Sequence, residues 1–181
     1  MTIPVLTTNR LRLEPLTQQH FEAFAPVLKD RETMSYYPHA FDDIAVGGWI
    51  SRNLDFWTEF GYGRFAVIRR SDNQLLGDAG LMQLTVNGRE VNDIGWVIHR
   101  SHWGAGYATE AATAIRDDAF NRLSLDAIHA NMPVDHPTSR KVAEHIGMVE
   151  IMRFRNPKNR NIETHLLELT MSGYQTSRVA R

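Results

Sequence analysis

The stretch Asp93-Ile-Gly-Trp-Val-Ile-His-Arg-Ser-His-Trp-Gly-Ala-Gly-Tyr-Ala-Thr-Glu-Ala-Ala112 decides the reading of this chain. It opens as a strand, passes through a glycine loop and continues as a helix. That order aims free backbone N–H groups, and the positive end of a helix dipole, at one point just past the strand. Such a point suits phosphate. Gly104 and Gly106 permit a tight turn and close approach of a ligand to the main chain. Ala108, Ala111, Ala112, Ile115 and Ala119 form a small-residue stripe that lets the helix lie close on a sheet.

Two common phosphate loops do not fit. A P-loop needs Gly-Lys-Ser/Thr, which nothing here supplies. The dinucleotide pattern puts its third glycine on Thr109. Asp126 follows at a suggestive distance, but at the start of an apolar run rather than near its end, and too little chain remains for a doubly wound sheet. His99 and His102 form an H-x-x-H that straddles a strand end without a third ligand, so no metal is expected.

Working outward, 181 residues suffice for one domain with a sizeable core, and a single domain over 1–181 is expected. The net charge of −1 makes no broad case for nucleic acid or for an anionic membrane. Arg153, Arg155, Lys158 and Arg160 read as a solvated hairpin. The absence of cysteine excludes disulfides, thiol catalysis and zinc-thiolate sites. Pro4, Asn9, Arg10 and Arg12 interrupt any leader core, and no apolar run reaches the roughly 18 residues of a membrane span. A cytoplasmic protein is the expectation.

Arg10 to Leu16 alternates charged and apolar residues as an edge strand does. Thr17 can cap a helix with the face Phe21, Phe24, Ala25 and Leu28. Asp42 or Asp43 can cap a second, which carries Trp49, Ile50, Asn53, Phe56, Trp57 and Phe60. Strands follow at Arg64–Arg70 and Leu75–Val86. Asn87-Gly88 is a two-residue hairpin signal leading into Glu90–His99. After the loop helix, which ends near Asn121, come a strand at Leu125–Pro133 and a short helix from Pro137 to near Gly147. Strands at Val149–Arg155 and Ile162–Met171 close the chain. The order βααβββαβαββ predicts a mixed α/β sheet with one parallel crossover, joining the strands at about 90–99 and 125–133.

The central loop resembles the acyl-CoA loop of the GNAT N-acetyltransferase superfamily, Gln/Arg-x-x-Gly-x-Gly/Ala, in the frame Trp103-Gly104-Ala105-Gly106-Tyr107-Ala108. Trp103 stands in the Gln/Arg place. Trp-Gly-x-Gly-Tyr-Ala-Thr-Glu-Ala is similar to the branch that includes the ribosomal-protein N-terminal acetyltransferases, the Rim type. Thr8–Leu13, Gly61–Ile68 and Leu75–Leu81 resemble that branch's first three strands. His136-Pro-Thr-Ser139, followed by Val142–Met148, resembles its Asn-x-x-Ser…Gly-Phe/Met motif with His136 in place of Asn. The tyrosine that many relatives use as an acid corresponds to Ala143.

The resemblance implies a mostly antiparallel GNAT sheet whose parallel strands splay to hold the donor. It implies an acetyl-CoA-dependent N-acetyltransferase acting on a primary amine, either a protein N-terminus or a small molecule. The alternative is a non-catalytic acyl-CoA sensor. The oligomeric state stays open, a homodimer included. Trp103, Gly104, Ala105, Gly106, Tyr107, Ala108 and Thr109 would hold the pyrophosphate, and the main chain at Ile98 and Arg100 the pantetheine arm. His136 is a cofactor contact or an ordinary loop histidine. Ser139 is a thiolate contact or donor, or a helix cap. Asp93 leads the candidates for general base, ahead of Glu90 and Glu163, because alternation puts it on one face with Val97 and His99. Each of these carboxylates is otherwise a solvated or paired group. Glu110 reads as a first-turn acid complementing the dipole. Tyr36, Tyr37 and Trp49, with His39 and Phe41, either shape an acceptor pocket or pack under a loop.

Overall fold

In the computed structural model, which describes residues 4–179, alternation sinks Leu11 and Leu13 of β2 (Leu11–Pro15) into the core and leaves Arg12 and Glu14 partly exposed. Residues 1–3 and 180–181 of the expected domain lie outside the described residues. A two-residue β1 (Leu6–Thr7) pairs with β2, an edge ribbon too short to announce itself in the sequence. After a 3₁₀ turn at Gln18–His20 come α1 (Phe21–Lys29) and α2 (Asp43–Phe60). Asp42 caps α2 by accepting from the Ala45 N–H at 2.8 Å. β3 (Arg64–Arg69), β4 (Leu75–Val86) and β5 (Arg89–Ile98) follow, the last two joined by Asn87-Gly88 with φ of 47° and 78°. The rest is α3 (Tyr107–Asn121), β6 (Ala127–Pro133), α4 (Pro137–His145), β7 (Val149–Asn156), β8 (Ile162–Thr170) and α5 (Met171–Val179).

The described residues form one eight-stranded sheet in the order β1-β2-β3-β4-β5-β6-β8-β7. Every neighbouring pair is antiparallel except β5–β6, which register at a single pair, Asp93↔His129, and then part. This is the mixed sheet expected from the order of elements, with the expected splay. One face is covered by α3, whose small residues Ala111, Ala112 and Ala119 are fully buried beneath it, together with α4 and α5. The other is covered by α1 and α2, where Phe24, Leu28, Val46 and Ile50 pack on Ala66, Ile68 and Val97.

The chain does not end in a strand running to Met171. Met171 begins α5, which docks through Tyr174, stacked on Phe120 at 4.7 Å and accepting from Asn121 Nδ2 at 3.1 Å. Gly173 and the polar residues around Tyr174 give this helix no apolar stripe, so periodicity could not find it. No helix of the described residues is long and apolar enough to cross a membrane.

Candidate active site

The loop after β5 presents the arrangement its glycines require. Gly104 and Gly106 sit in the left-handed region, with φ of 75° and 78°. The N–H groups from Gly104 to Thr109 find no acceptor among the described residues, and the first bond into α3 runs from Glu110 N to Gly106 O at 3.0 Å. Unclaimed N–H groups and a helix dipole thus lie together where β5 ends.

Arg10 braces this loop. Its Nη1 donates to the Ala105 carbonyl at 2.8 Å, its Nε to Glu110 Oε2 at 2.6 Å, and its guanidinium lies 4.6 Å over the Tyr107 ring. Glu110 Oε1 also accepts from the Arg10 N–H and the Thr8 hydroxyl. Partial burial alone would raise the Glu110 carboxyl, but the bonds from Thr8 and Arg10 outweigh it and hold the group below its usual range. Glu110 is therefore a first-turn acid, paired across the fold. Arg10 read only as a strand residue; its partners lie about a hundred positions away, and no local signal marks it.

At the splay, main-chain phase decides which groups are free. The Asn87-Gly88 hairpin and the bond from His99 N to Leu76 O at 2.8 Å put the odd-numbered residues of β5 in the ladder with β4. Ile94, Trp96 and Ile98 thus turn their N–H and C=O groups toward β6. Beyond Asp93↔His129 that edge has no strand partner. The Ile98 carbonyl accepts from Trp103 Nε1 at 2.7 Å, and the Arg100 N–H donates to Thr33 Oγ1 at 3.0 Å. Of the two main-chain positions expected to face a donor, Ile98 faces the opening with its carbonyl engaged. The Arg100 N–H is already claimed by Thr33. Trp96, which sequence reading passed over, is the uncommitted one.

Asp93 stands where the strands part, on the α1/α2 face with Val97 as alternation required. It is 8% exposed, and its Oδ1 accepts from the Asn131 N–H at 3.1 Å and Asn131 Nδ2 at 2.8 Å. Burial pushes its carboxyl up to about 7, against the bonds from Asn131 and the charge of Arg64. Arg64 is itself buried and grips the fully buried Asp78 with Nε and with Nη2, the latter at 2.8 Å. Trp49 Nε1 donates to Asp78 Oδ2 at 2.9 Å, and the guanidinium lies 5.1 Å over the Trp49 ring. The Arg64 side chain reaches across the sheet to β5, where a Cβ on Gly95 would stand 2.6 Å from its Nη1. Tyr37 meets Trp49 edge-on at 6.2 Å, and burial pushes its hydroxyl up to about 12. Tyr37 and Trp49 therefore gather with Asp93 and with Arg64 and Asp78, two charged residues that a strand pattern alone does not send inward.

Tyr36 goes elsewhere. Its ring stacks on His136 at 3.6 Å, and its hydroxyl donates to the Asp135 carbonyl at 3.3 Å. Asn159 Nδ2 donates to the Tyr36 carbonyl at 2.8 Å, and Arg160 Nη2 to that of Ser35 at 3.3 Å. The Arg160 end of the hairpin is thus docked rather than merely solvated. These ties draw the 30–42 loop across to the β6–α4 turn and the β7–β8 tip. Burial pushes His136 down to about 4, so its ring is neutral. Ser139 is half-buried at the start of α4, and its hydroxyl makes no hydrogen bond among the described residues, so it caps nothing here. Ala143 is fully buried. His99 bonds Ser101 at 2.8 Å, and no three His, Cys, Asp or Glu side chains of the described residues converge as a metal site would need. A groove of about 950 Å³ leaves the loop at Gly106 and Thr109 and runs along α3, but Asp117 and Asp118 line its far end, which does not suit a polyanion.

The site is thus a mixed sheet opened at one parallel pair, with unclaimed N–H groups at its mouth and a buried carboxyl at its vertex. Residues 10–149 match the family model of the acetyltransferase (GNAT) domain, and the chain belongs to that family of acetyltransferases. It is 31% identical over 139 residues to the probable N-acetyltransferase YjcK of Bacillus subtilis, a match spanning 77% of this chain and 72% of that one. A solved acetyltransferase from Agrobacterium tumefaciens superposes with a TM-score of 0.79 at 26% identity, over 93% of this chain and 95% of that one. RimL, a ribosomal α-N-protein acetyltransferase solved with coenzyme A, shares the fold at a TM-score of 0.78 and 14% identity, over 94% and 99% of the two chains.

Proposed function

We propose that this protein moves an acetyl group from acetyl-CoA to a primary amine, on a protein N-terminus or a small molecule. The observation that carries the reading is the splay itself, with donors at its mouth and Asp93 at its vertex. The pyrophosphate is held by the N–H groups of Gly104 to Thr109, beside the Arg10 cation. The pantetheine arm runs between β5 and β6 and pairs with the main chain of Trp96 and Ile98. The thioester then lies toward the vertex. The amine enters from the α1/α2 face, past Tyr37 and Trp49. Asp93 takes the amine proton as the nitrogen attacks the thioester carbon, the C–S bond breaks, and the Ser139 hydroxyl solvates the departing thiolate or protonates it, water then restoring the Ser139 proton.

Thiol release from acetyl-CoA in the presence of spermidine, an alanyl peptide, a free amino acid or kanamycin tests this. One of these amines is expected to give release well above the amine-free rate. If acetyl-CoA binds and none does, a binding-only sensor replaces the enzyme reading. Tyr37→Ala is expected to reorder the amines while leaving acetyl-CoA affinity unchanged. An unaltered ranking removes Tyr37 from the acceptor side.

Ser139→Ala is expected to lower kcat more than it raises the KM for acetyl-CoA. Its thermal midpoint should not move, because the hydroxyl holds no bond in the fold. A lowered midpoint with unchanged turnover would return Ser139 to a structural role.

A further inference from the structure

Each turnover leaves a proton on Asp93, which is 8% exposed and needs a route to shed it. The sheet supplies a neighbour. β5 and β6 register at Asp93↔His129, and β8 continues the row with Glu168 opposite His129. Residues directly opposite one another project from the same face, so Asp93, His129 and Glu168 form a line across three strands.

His129 is 7% exposed, and its Nε2 lies 3.0 Å from Glu168 Oε1. An ionised carboxylate only accepts, so Nε2 carries the ring hydrogen and Nδ1 is a bare lone pair. That nitrogen is buried and finds no partner among the described residues, which is uncommon for an acceptor. A carboxyl that carries a proton after each turnover thus neighbours a buried nitrogen with room for one. Glu168 at the other end is partly exposed, with 24% of its side chain open to solvent.

Arg89 on β5 and Glu168 on β8 face His129, and Arg64 and the Tyr37 hydroxyl face Asp93. Burial lowers the pKa of His129 and Arg89 adds to this, against the pull of Glu168, so the ring rests neutral with Nδ1 open.

We infer that His129 relays the proton of the acetylated amine from Asp93 to Glu168 and so to solvent, an inference that rests on Asp93 being the base. The Asp93 O–H bond breaks as an N–H bond forms at Nδ1, directly or through one water. The imidazolium so made is paired with the Glu168 carboxylate. It releases its Nε2 proton to Glu168 and on to water, and the ring returns to its starting form as a water takes the Nδ1 proton while Glu168 hands one back to Nε2, so that one proton in all reaches solvent. His129 touches neither donor nor acceptor. It acts through Asp93, as a relay.

The test measures turnover with acetyl-CoA and whichever of spermidine, an alanyl peptide or kanamycin gives thiol release, in dilute and in concentrated imidazole buffer. Glutamine at 129 keeps an N–H for Glu168 but cannot take up and give back a proton. His129→Gln is expected to be about tenfold slower or more in dilute buffer, a modest share of what positioned proton transfer contributes, and to recover as buffer is added. The unaltered protein should ignore buffer concentration, and Asp93→Asn should be slow at every concentration. Nitrogen-15 spectra of the unaltered protein should show His129 with its hydrogen on Nε2, a readout that needs no variant to fold. If Asp93→Asn is slow while His129→Gln keeps full speed in dilute buffer, or stays slow whatever buffer is added, the relay is overturned and the base stands. A resting Nδ1–H tautomer also overturns the relay. If Asp93→Asn is as fast as the unaltered protein, the base reading fails and the relay falls with it.

Discussion

Asp93→Asn lowers kcat/KM by about a hundredfold or more, the contribution expected of a positioned base, while acetyl-CoA affinity holds. In the unaltered protein activity should climb as pH rises through about 7, where burial has placed the Asp93 carboxyl. In the variant that limb disappears. Stability moves the opposite way. A carboxyl raised in the fold from 3.8 to about 7 binds more protons folded than unfolded across that window, so its ionisation costs stability as pH rises through it. Asparagine keeps the acceptor for Asn131 and abolishes this cost, which the shift places at up to about 4 kcal/mol. Thermal melts at pH 5 and pH 8 check the sign. The variant should gain clearly more over the unaltered protein at pH 8 than at pH 5. A lower melting point at pH 8 would mean that the carboxyl is not desolvated in solution.

Gly106→Val should weaken acetyl-CoA binding by well over tenfold, about 1.4 kcal/mol or more by calorimetry. Two costs combine. A β-branched residue fits badly at a φ of 78°, and its side chain covers the main chain that a pyrophosphate must approach. Gly88 provides the control, since it has the same φ of 78° with open space where a side chain would project, in a hairpin away from the loop. Gly88→Val carries a similar backbone penalty and should leave acetyl-CoA affinity unchanged. Equal losses in both variants would assign the effect to global strain, and unchanged affinity in a folded Gly106→Val would remove the loop from the donor site.

Local signals carried most of the architecture. Asn87-Gly88 can make little but a tight hairpin, and period-two alternation put Asp93 on the correct face without any knowledge of its neighbours. Features that depend on distant partners were not legible. Arg10 and Glu110 are a hundred positions apart. Nothing in the strand pattern marks Arg64 and Asp78 as buried; what admits them is mutual pairing, the Trp49 indole and the missing side chain at Gly95. The free main chain at Trp96 follows from hydrogen-bond phase, which a sequence does not display. Tyr36 belonged to an aromatic run and was grouped with Tyr37, yet adjacent loop residues need not point one way, and it left that cluster to stack on His136.

The roof formed where residues 35 and 36 are tied to the β6–α4 turn and to the β7–β8 tip has an evolutionary consequence. Under the proposed function, donor recognition rests mainly on peptide groups, which every sequence shares. The roof is written in side chains drawn from three separate segments, none of which is part of the β5–loop–α3 unit. Changes at any of these three places can therefore reshape the roof, each open to drift independently, while the main chain of the β5–loop–α3 unit stays as it is.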